Sequence, residues 1–547
     1  MPQDWNTLAD NRRQRLQRAE GLARGRLVEA KDAVALLEAV IEPGDRVCVE
    51  GNNQKQADFL SQCLTEVDPA RVHGLHLLQS VLALPSHLDV FERGIAQRLD
   101  FSFSGPQALR LARLVADKRI VIGAIHTYLE LFGRYFVDLS PRVALVAAQA
   151  ADRHGNLYTG PNTEDTPVIA EATAFKGGIV IAQVNAIVDT LPRVDIPADW
   201  VGYVVQAPRP HYIEPLFTRD PAQISEIQVL MAMMAIKGIY AEYGVDRLNH
   251  GIGFDTAAIE LLLPTYAESL GLRGKICRHW ALNPHPALIP AIESGFVKSV
   301  HSFGSELGME KYIAARADVF FAGPDGSMRS NRAFAQTAGL YACDIFIGST
   351  LQIDLQGNSS TATRDRIAGF GGAPNMGSDA RGRRHGSDAW LKAGREAARP
   401  GEMPRGRKLV VQMVETFREH MAPAFVERLD AWELAERANM PLPPVMIYGD
   451  DVSHVLTEEG IANLLLCRTP EEREQAIRGV AGYTAVGLGR DKGVVENLRD
   501  RGVIRRPEDL GIRLRDASRD LLAARSVKDL VRWSGGLYAP PQRFRNW

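Results

Sequence analysis

Two short segments hold the residue types that could do chemistry together: VHSFGSELG at 300–308 and GFGG at 369–372. The first sets one acid, Glu306, between Gly304 and Gly308, which let another backbone or a ligand come close. In the second, Gly369 permits the same approach, and Gly371 and Gly372 could aim bare N–H groups at a developing negative charge. A carboxylate facing such donors suits acyl transfer between a thioester and a carboxylic acid. Both segments also read as ordinary structure. Glu306 would open the helix SELGMEKYIAARAD, where the dipole favours an acid, and GFGG would be a turn.

Other polar groups lie near these segments in sequence or in the expected fold. Asn52, Asn53 and Gln54 fill a strand-to-helix turn, where they supply neutral donors to a substrate carboxylate or simply cap the helix. Arg364, Arg366, Arg381, Arg383 and Arg384 flank the glycines. They form a solvated loop or, through planar guanidinium groups, a site for phosphate. Gly-x-Gly-x-x-Gly spacing is missing from both GFGGAPNMG and GLGRDKG, and Gly-x-Ser-x-Gly, the P-loop and His-Glu-x-x-His are absent. The NPHP segment around His285 reads as a rigid turn, and no metal or resident redox cofactor is expected.

These groups need a large scaffold. At 547 residues the chain exceeds one hydrophobic core. It is 45% hydrophobic and 24% charged with formal net charge −2, which argues against nucleic acid as a partner. Apolar runs such as VALVAAQAA fall short of the ~20 residues of a membrane helix. The five cysteines (Cys48, Cys63, Cys277, Cys343, Cys467) never show Cys-x-x-Cys spacing. With a polar N-terminus, this suits reduced thiols and a cytoplasmic location.

The periodicity predicts a helix over 25–41, then strands at 46–50, 119–125, 143–149 and 178–185 alternating with glycine turns and helices, the pattern of an α/β fold with a largely parallel sheet. The proline-rich stretch 191–215 reads as a linker or arm. After it, a helix at 224–242 opens a second alternation, including 246–264. Strand 409–414 and segment 445–449 return to the sheet, and the Gly/Arg/Pro-rich stretch 377–408 is an excursion outside the core. The expected units are 1–225 and 226–547. Each contains an apolar strand ending in Asp-x-x-Gly-Asn, at 152–156 and 354–358; the shared ending is a common turn or the mark of two related tandem units. The tail GGLYAPPQRFRNW is expected to be extended, with aromatics that dock.

Taken together, VEGNNQKQADFL (49–60), ADRHGNLYTGPNTEDTPVIAEATAFKGGIVIAQVN (151–185) and ESGFVKSVHSFGSELGMEKYI (293–313) resemble the coenzyme A transferase superfamily. Within it, nearly the whole chain is similar to the malonate decarboxylase α-subunit family, a relative of the citrate lyase α subunits. The resemblance implies two tandem Rossmann-like domains of the coenzyme A transferase type. It implies exchange of acetyl for malonyl on the thioester of an acyl carrier protein, whose prosthetic group derives from dephospho-CoA, or on CoA. Separate decarboxylase subunits, malonate and acetate are the implied partners. Distant members carry a catalytic glutamate in Ser-Glu-Asn-Gly. Here the matching run is Ser305-Glu306-Leu307-Gly308, and Leu307 in place of asparagine leaves Glu306 as either a nucleophile or an orienting acid. A citrate lyase α-type transferase, an acyl-CoA hydrolase of the same fold and a non-catalytic scaffold are the alternatives.

Overall fold

The computed structural model describes residues 5–52, 55–302, 304–321, 332–379, 383–545 and 547. Apolar runs that cannot alternate sides are stable as strands only where both faces of a sheet are covered, so they favour parallel sheets layered between helices. Two such sheets form.

The first contains β1 (Arg46–Val49), β2 (Leu75–Val81), β3 (Ala96–Phe103), β4 (Val121–Ile125), β5 (Val143–Asp152), β6 (Ile179–Val188) and β7 (Tyr203–Gln206). Its order is β4-β3-β2-β1-β5-β6-β7, all parallel. Val143 to Val146 of the central β5 are fully buried, and Val47 lies opposite both Leu77 and Val143. The second contains β8 (Arg247–His250), β9 (His279–Ala281), β10 (Ser299–His301), β11 (Ile345–Gly348), β12 (Leu409–Met413) and β13 (His454–Thr457). They run parallel in the order β10-β9-β8-β11-β12-β13. With the edge strand β4 set aside, strands counted along the chain take the order 3-2-1-4-5-6 in both sheets.

The Asp-x-x-Gly-Asn segments repeat bond for bond. Asp152 Oδ1 accepts the N–H groups of His154 and Asn156 at 2.9 and 3.0 Å, and Asp354 Oδ1 accepts those of Gln356 and Asn358 at 3.0 and 2.9 Å. Each asparagine side chain then accepts a distant N–H at 2.8 Å, from Ala198 and from Gly449. Both turns follow the fourth strand of their sheet.

Core residues divide along the chain. One set runs from Ala19 to Val205 and is joined by Ala362, Ile367 and Leu434, while the other set begins at Ile224. Several expectations need correction. The stretch 191–215 contains β7, a full member of the sheet. The 445–449 segment joins no sheet and makes one bridge, Ile447 to Ser359. Within 377–408 lies the helix Asp388–Ala397, N-capped by Ser387, whose Ala389 and Ala393 are fully buried. The helix expected over 25–41 shrinks to Ala33–Val40, because Gly25 at φ +67° turns a short hairpin. The tail does dock, through buried Tyr538, but Gln542–Phe544 forms a 3-10 turn. No described helix is long and apolar enough to cross a membrane.

Candidate active site

The carboxyl ends of both sets of strands face a small cavity of about 230 Å³. Phe103 and Tyr128 line it from the first sheet, Asn249, His250 and Ser349 from the second, and Gly369 to Gly372 between them. The glycine segment is a strap. Phe370 and Gly371 both donate their N–H to the Ser102 carbonyl, at 2.6 and 2.9 Å, and Ser104 N–H bonds Ala368 O at 2.8 Å. Gly369 sits at φ +77°, where a Cβ would lie 2.5 Å from Ser102 O. Only glycine permits that approach.

The strap corrects one expectation. Gly371 N–H is committed to Ser102, so it is not a bare amide. Gly372 N–H has no partner among the described residues and belongs to a residue lining the cavity.

Glu306 is fully buried, and its carboxylate Oε1 accepts Thr218 N–H at 2.9 Å and Thr218 Oγ1–H at 2.8 Å. The Tyr538 hydroxyl lies 3.4 Å from the same Thr218 oxygen. Asn162 clamps the neighbouring peptide, with Nδ2 on Ser305 O at 3.2 Å and Oδ1 on Ser305 N–H at 3.3 Å. Gly304 allows this contact, since a Cβ there would meet Asn162 and Glu164 oxygens at 2.5 Å. Gly308, at φ +88°, packs against Ala539 of the tail, whose N–H bonds Gly308 O at 2.9 Å. The helix begins only at Glu310, so Glu306 is not in its first turn. Glu306 is not among the residues lining the cavity: the ring of Phe217 stands on the cavity wall, and the next residue, Thr218, holds the acid.

Between the two sheets runs a buried polar layer. Arg332, at the start of α1 (Arg332–Ala342), pairs with Glu164 and, at 3.0 Å, with Asp165, while its guanidinium covers the Tyr128 ring at 4.4 Å. Two carboxylates sharing one arginine in a dry site cannot both ionise cheaply. Burial pushes Asp165 up to about 7 against the pull of Arg332, and raises Glu164 as well. Glu164 is held at φ 47°, an uncommon conformation for this residue type. Lys55 pairs with Glu50 at 3.5 Å, both fully buried, and Asn52 Nδ2 donates to Glu50 at 2.8 Å. Asn52 Oδ1 and both amide atoms of Gln79 find no partner among the described residues. Asn53 and Gln54 lie outside the described residues.

Beside the cavity, and sharing Ser349 with it, opens a groove of about 1280 Å³ lined by Arg364, Arg366 and Arg418. Arg364 also meets Asp430 and Glu433, at 3.4 and 2.9 Å. The remaining arginines part company with the groove. Arg383 is buried beneath Trp390 and donates to Leu340 O and Cys343 O, closing the carbonyl end of α1. Arg384 donates to Arg383 O, and Arg381 lies outside the described residues. Chain proximity to the glycines did not bring Arg383 and Arg384 to the groove, because the strap ends where the next helix begins.

Sequence reasoning passed over Asn162, Glu164, Asp165, Thr218 and Arg332. One signal was present: NTEDT at 162–166 is a polar run that the fold then buries almost completely. Thr218 and Arg332 carried none. Among the described residues no group of three or more His, Cys, Asp or Glu side chains could hold a metal.

Residues 4–547 match the family model described as malonate decarboxylase, alpha subunit, transporter. An acetyl-S-ACP:malonate ACP transferase of Malonomonas rubra is 63% identical over 548 residues, covering 99% of each chain. A chain in the crystal structure of a Pseudomonas malonate decarboxylase hetero-tetramer in complex with malonate is 62% identical, covers 100% of both chains and superposes with a TM-score of 0.97. The citrate lyase α subunit from Streptococcus mutans, 15% identical with a TM-score of 0.59 over 95% of this chain and 87% of that one, shares the fold. With its full length matched, its parallel sheets shared and its strand-end cavity in place, this chain belongs to the malonate decarboxylase alpha-subunit family.

Proposed function

We propose that this chain is the transferase that converts acetyl-S-carrier protein and malonate into malonyl-S-carrier protein and acetate. The observation that carries this reading is the 63% identity, end to end, with an acetyl-S-ACP:malonate ACP transferase. The geometry supports it: a cavity sized for a short acyl group opens beside an arginine-lined groove able to hold the phosphate of a carrier arm or of CoA.

In this reading a malonate carboxylate oxygen attacks the acetyl carbonyl and the C–S bond breaks, giving a mixed anhydride and a thiolate. The thiolate then attacks the malonyl carbonyl, the C–O bond breaks and acetate leaves. Both steps pass through a tetrahedral oxyanion, for which Gly372 N–H is the available strap donor; one such donor is typically worth ~10²–10³ in rate. Glu306, held by Thr218 outside the cavity lining, acts as an orienting acid rather than a nucleophile. Gly369, the one of the three sequence candidates Gly304, Gly369 and Asn52 that lines the cavity, shapes the substrate side, and Arg364 and Arg366 receive the phosphate. The halves 1–225 and 226–547 are tandem Rossmann-like domains, as their matching strand orders suggest. A carrier protein and decarboxylase subunits complete the cytoplasmic complex.

Mass spectrometry of carrier protein decides the reaction. Incubation of acetyl-S-carrier, malonate and this chain alone should yield malonyl-S-carrier. Free thiol formed at the same rate with or without malonate would mean hydrolysis instead. Borohydride trapping separates the roles of the acid: recovery of a modified Glu306 peptide would establish a covalent intermediate and refute the orienting role.

A further inference from the structure

We propose that His285, oriented by Glu260, is the proton donor and acceptor for the carrier sulfur in the cavity, a role that rests on the transferase reading above. Glu260 belongs to the helix Phe254–Leu262 and is fully buried. Its Oε1 meets two imidazoles, His250 Nδ1 at 3.0 Å and His285 Nδ1 at 3.2 Å. Burial works to raise the Glu260 carboxyl, but His285 and the two ring bonds outweigh it and hold the group below the usual carboxylate range.

The two rings differ in one respect. His250 uses its second nitrogen as well, with Nε2 2.8 Å from the Tyr240 hydroxyl; it is a satisfied core histidine. His285 Nε2 is buried and has no partner among the described residues, and the residue lines the cavity that also holds Gly371 and Gly372. An unpartnered ring nitrogen in a buried site costs free energy unless a ligand completes it. The ring is also held still. Pro284 and Pro286 flank it in the chain, restricting the backbone, and Phe217 stacks on it at 5.0 Å.

With Nδ1–H directed at Glu260, the protonated ring presents Nε2–H to the cavity. As the thioester C–S bond breaks, the sulfur takes up negative charge. The Nε2–H proton passes to it, forming S–H and leaving neutral imidazole. When sulfur attacks the malonyl carbonyl, S–H breaks and Nε2–H forms again, so the proton inventory closes over one turnover. Glu260 offsets the imidazolium charge and is the positioning residue.

The test compares acetyl transfer to malonate from acetyl-pantetheine with transfer from the acetyl thioester of 2,2,2-trifluoroethanethiol, a more acidic thiol whose fluorines are not on the sulfur-bearing carbon. His285→Gln should lose on the order of 10²-fold with the ordinary thioester, and less than about tenfold with the acidic one, whose thiolate needs no proton. Glu260→Gln should show the same narrowing with a smaller loss. Equal losses on both thioesters, or no loss, overturn the proposal. Should neither variant fold, ¹⁵N-histidine spectra of the wild-type chain decide: an imidazole nitrogen should shift with pantetheine and not with its desthio analogue, and no difference overturns it. Wild-type protein that transfers acetyl to malonate from neither thioester removes the transferase reading itself, and this inference with it.

Discussion

Two alanine substitutions two residues of strap apart should behave very differently. Gly369 and Gly371 both adopt positive φ, +77° and +59°, so each alanine carries roughly 1–2 kcal/mol of left-handed strain. The surroundings then separate them. At Gly369 the new Cβ meets a backbone oxygen, Ser102 O, at 2.5 Å, with Phe103 Cα at 3.1 Å. Neither can step aside without moving β3. The strap must lift instead, giving up the Phe370 and Gly371 hydrogen bonds to Ser102, at about 1–3 kcal/mol for each buried group left unmade. Gly369→Ala should therefore cost roughly 3–8 kcal/mol. At Gly371 the nearest atom is the Tyr128 hydroxyl, 3.2 Å away at the tip of a ring, and the cost should stay near 1–2 kcal/mol. Urea unfolding monitored by fluorescence gives the comparison, with transfer activity measured in parallel. Gly369→Ala should lower the midpoint about three to four times further than Gly371→Ala and abolish transfer. Equal midpoints, or a worse Gly371→Ala, would refute the argument that the Ser102 carbonyl dictates glycine here.

Thr218→Val removes the hydroxyl donor to Glu306 but keeps the backbone N–H; a loss of ~1–3 kcal/mol, roughly ten- to a hundredfold in kcat, is expected with a small change in KM. Replacing Arg364 and Arg366 together with Ala should raise KM for acetyl-CoA and flatten its salt dependence, whereas Arg383→Ala should lower the melting temperature and leave KM alone. Asp165 carries its proton to higher pH when folded, its pKa moving from 3.8 to about 7. In that window the folded state binds more protons than the unfolded one, so this group's stabilisation is complete below 3.8 and is lost as pH rises towards 7. The full change is at most ~4 kcal/mol, and Asp165→Asn should flatten the thermal-stability profile across that range; an unchanged profile would place the proton elsewhere.

Much of the scaffold was legible in the chain. Strands 46–50, 143–149 and 178–185 are apolar on both faces and can only lie inside a covered sheet, and the Asp-x-x-Gly-Asn turns were legible because their inner bonds are local. β7 was hidden inside a proline-rich stretch, and the helix Asp388–Ala397 inside a run of Gly, Arg and Pro, since composition averages over short elements that burial stabilises. Glu306 stood out by its glycines, and the structure supplies the reason: Asn162, from the first half of the chain, and Ala539, from the tail, press on Gly304 and Gly308.

What the sequence settled by itself was therefore whatever depends on neighbours within a few residues: strand and helix type, turn chemistry, family. Tertiary structure alone decided which polar atoms are spent and which are spare. Gly371 N–H is taken by Ser102, Arg383 by the end of a helix, and His250 by Tyr240, while Gly372 N–H and His285 Nε2 find no partner among the described residues. Hydrogen-bond partners hundreds of residues apart along the chain meet only because parallel strands bring all their carboxyl ends to one side, and no local pattern encodes that meeting.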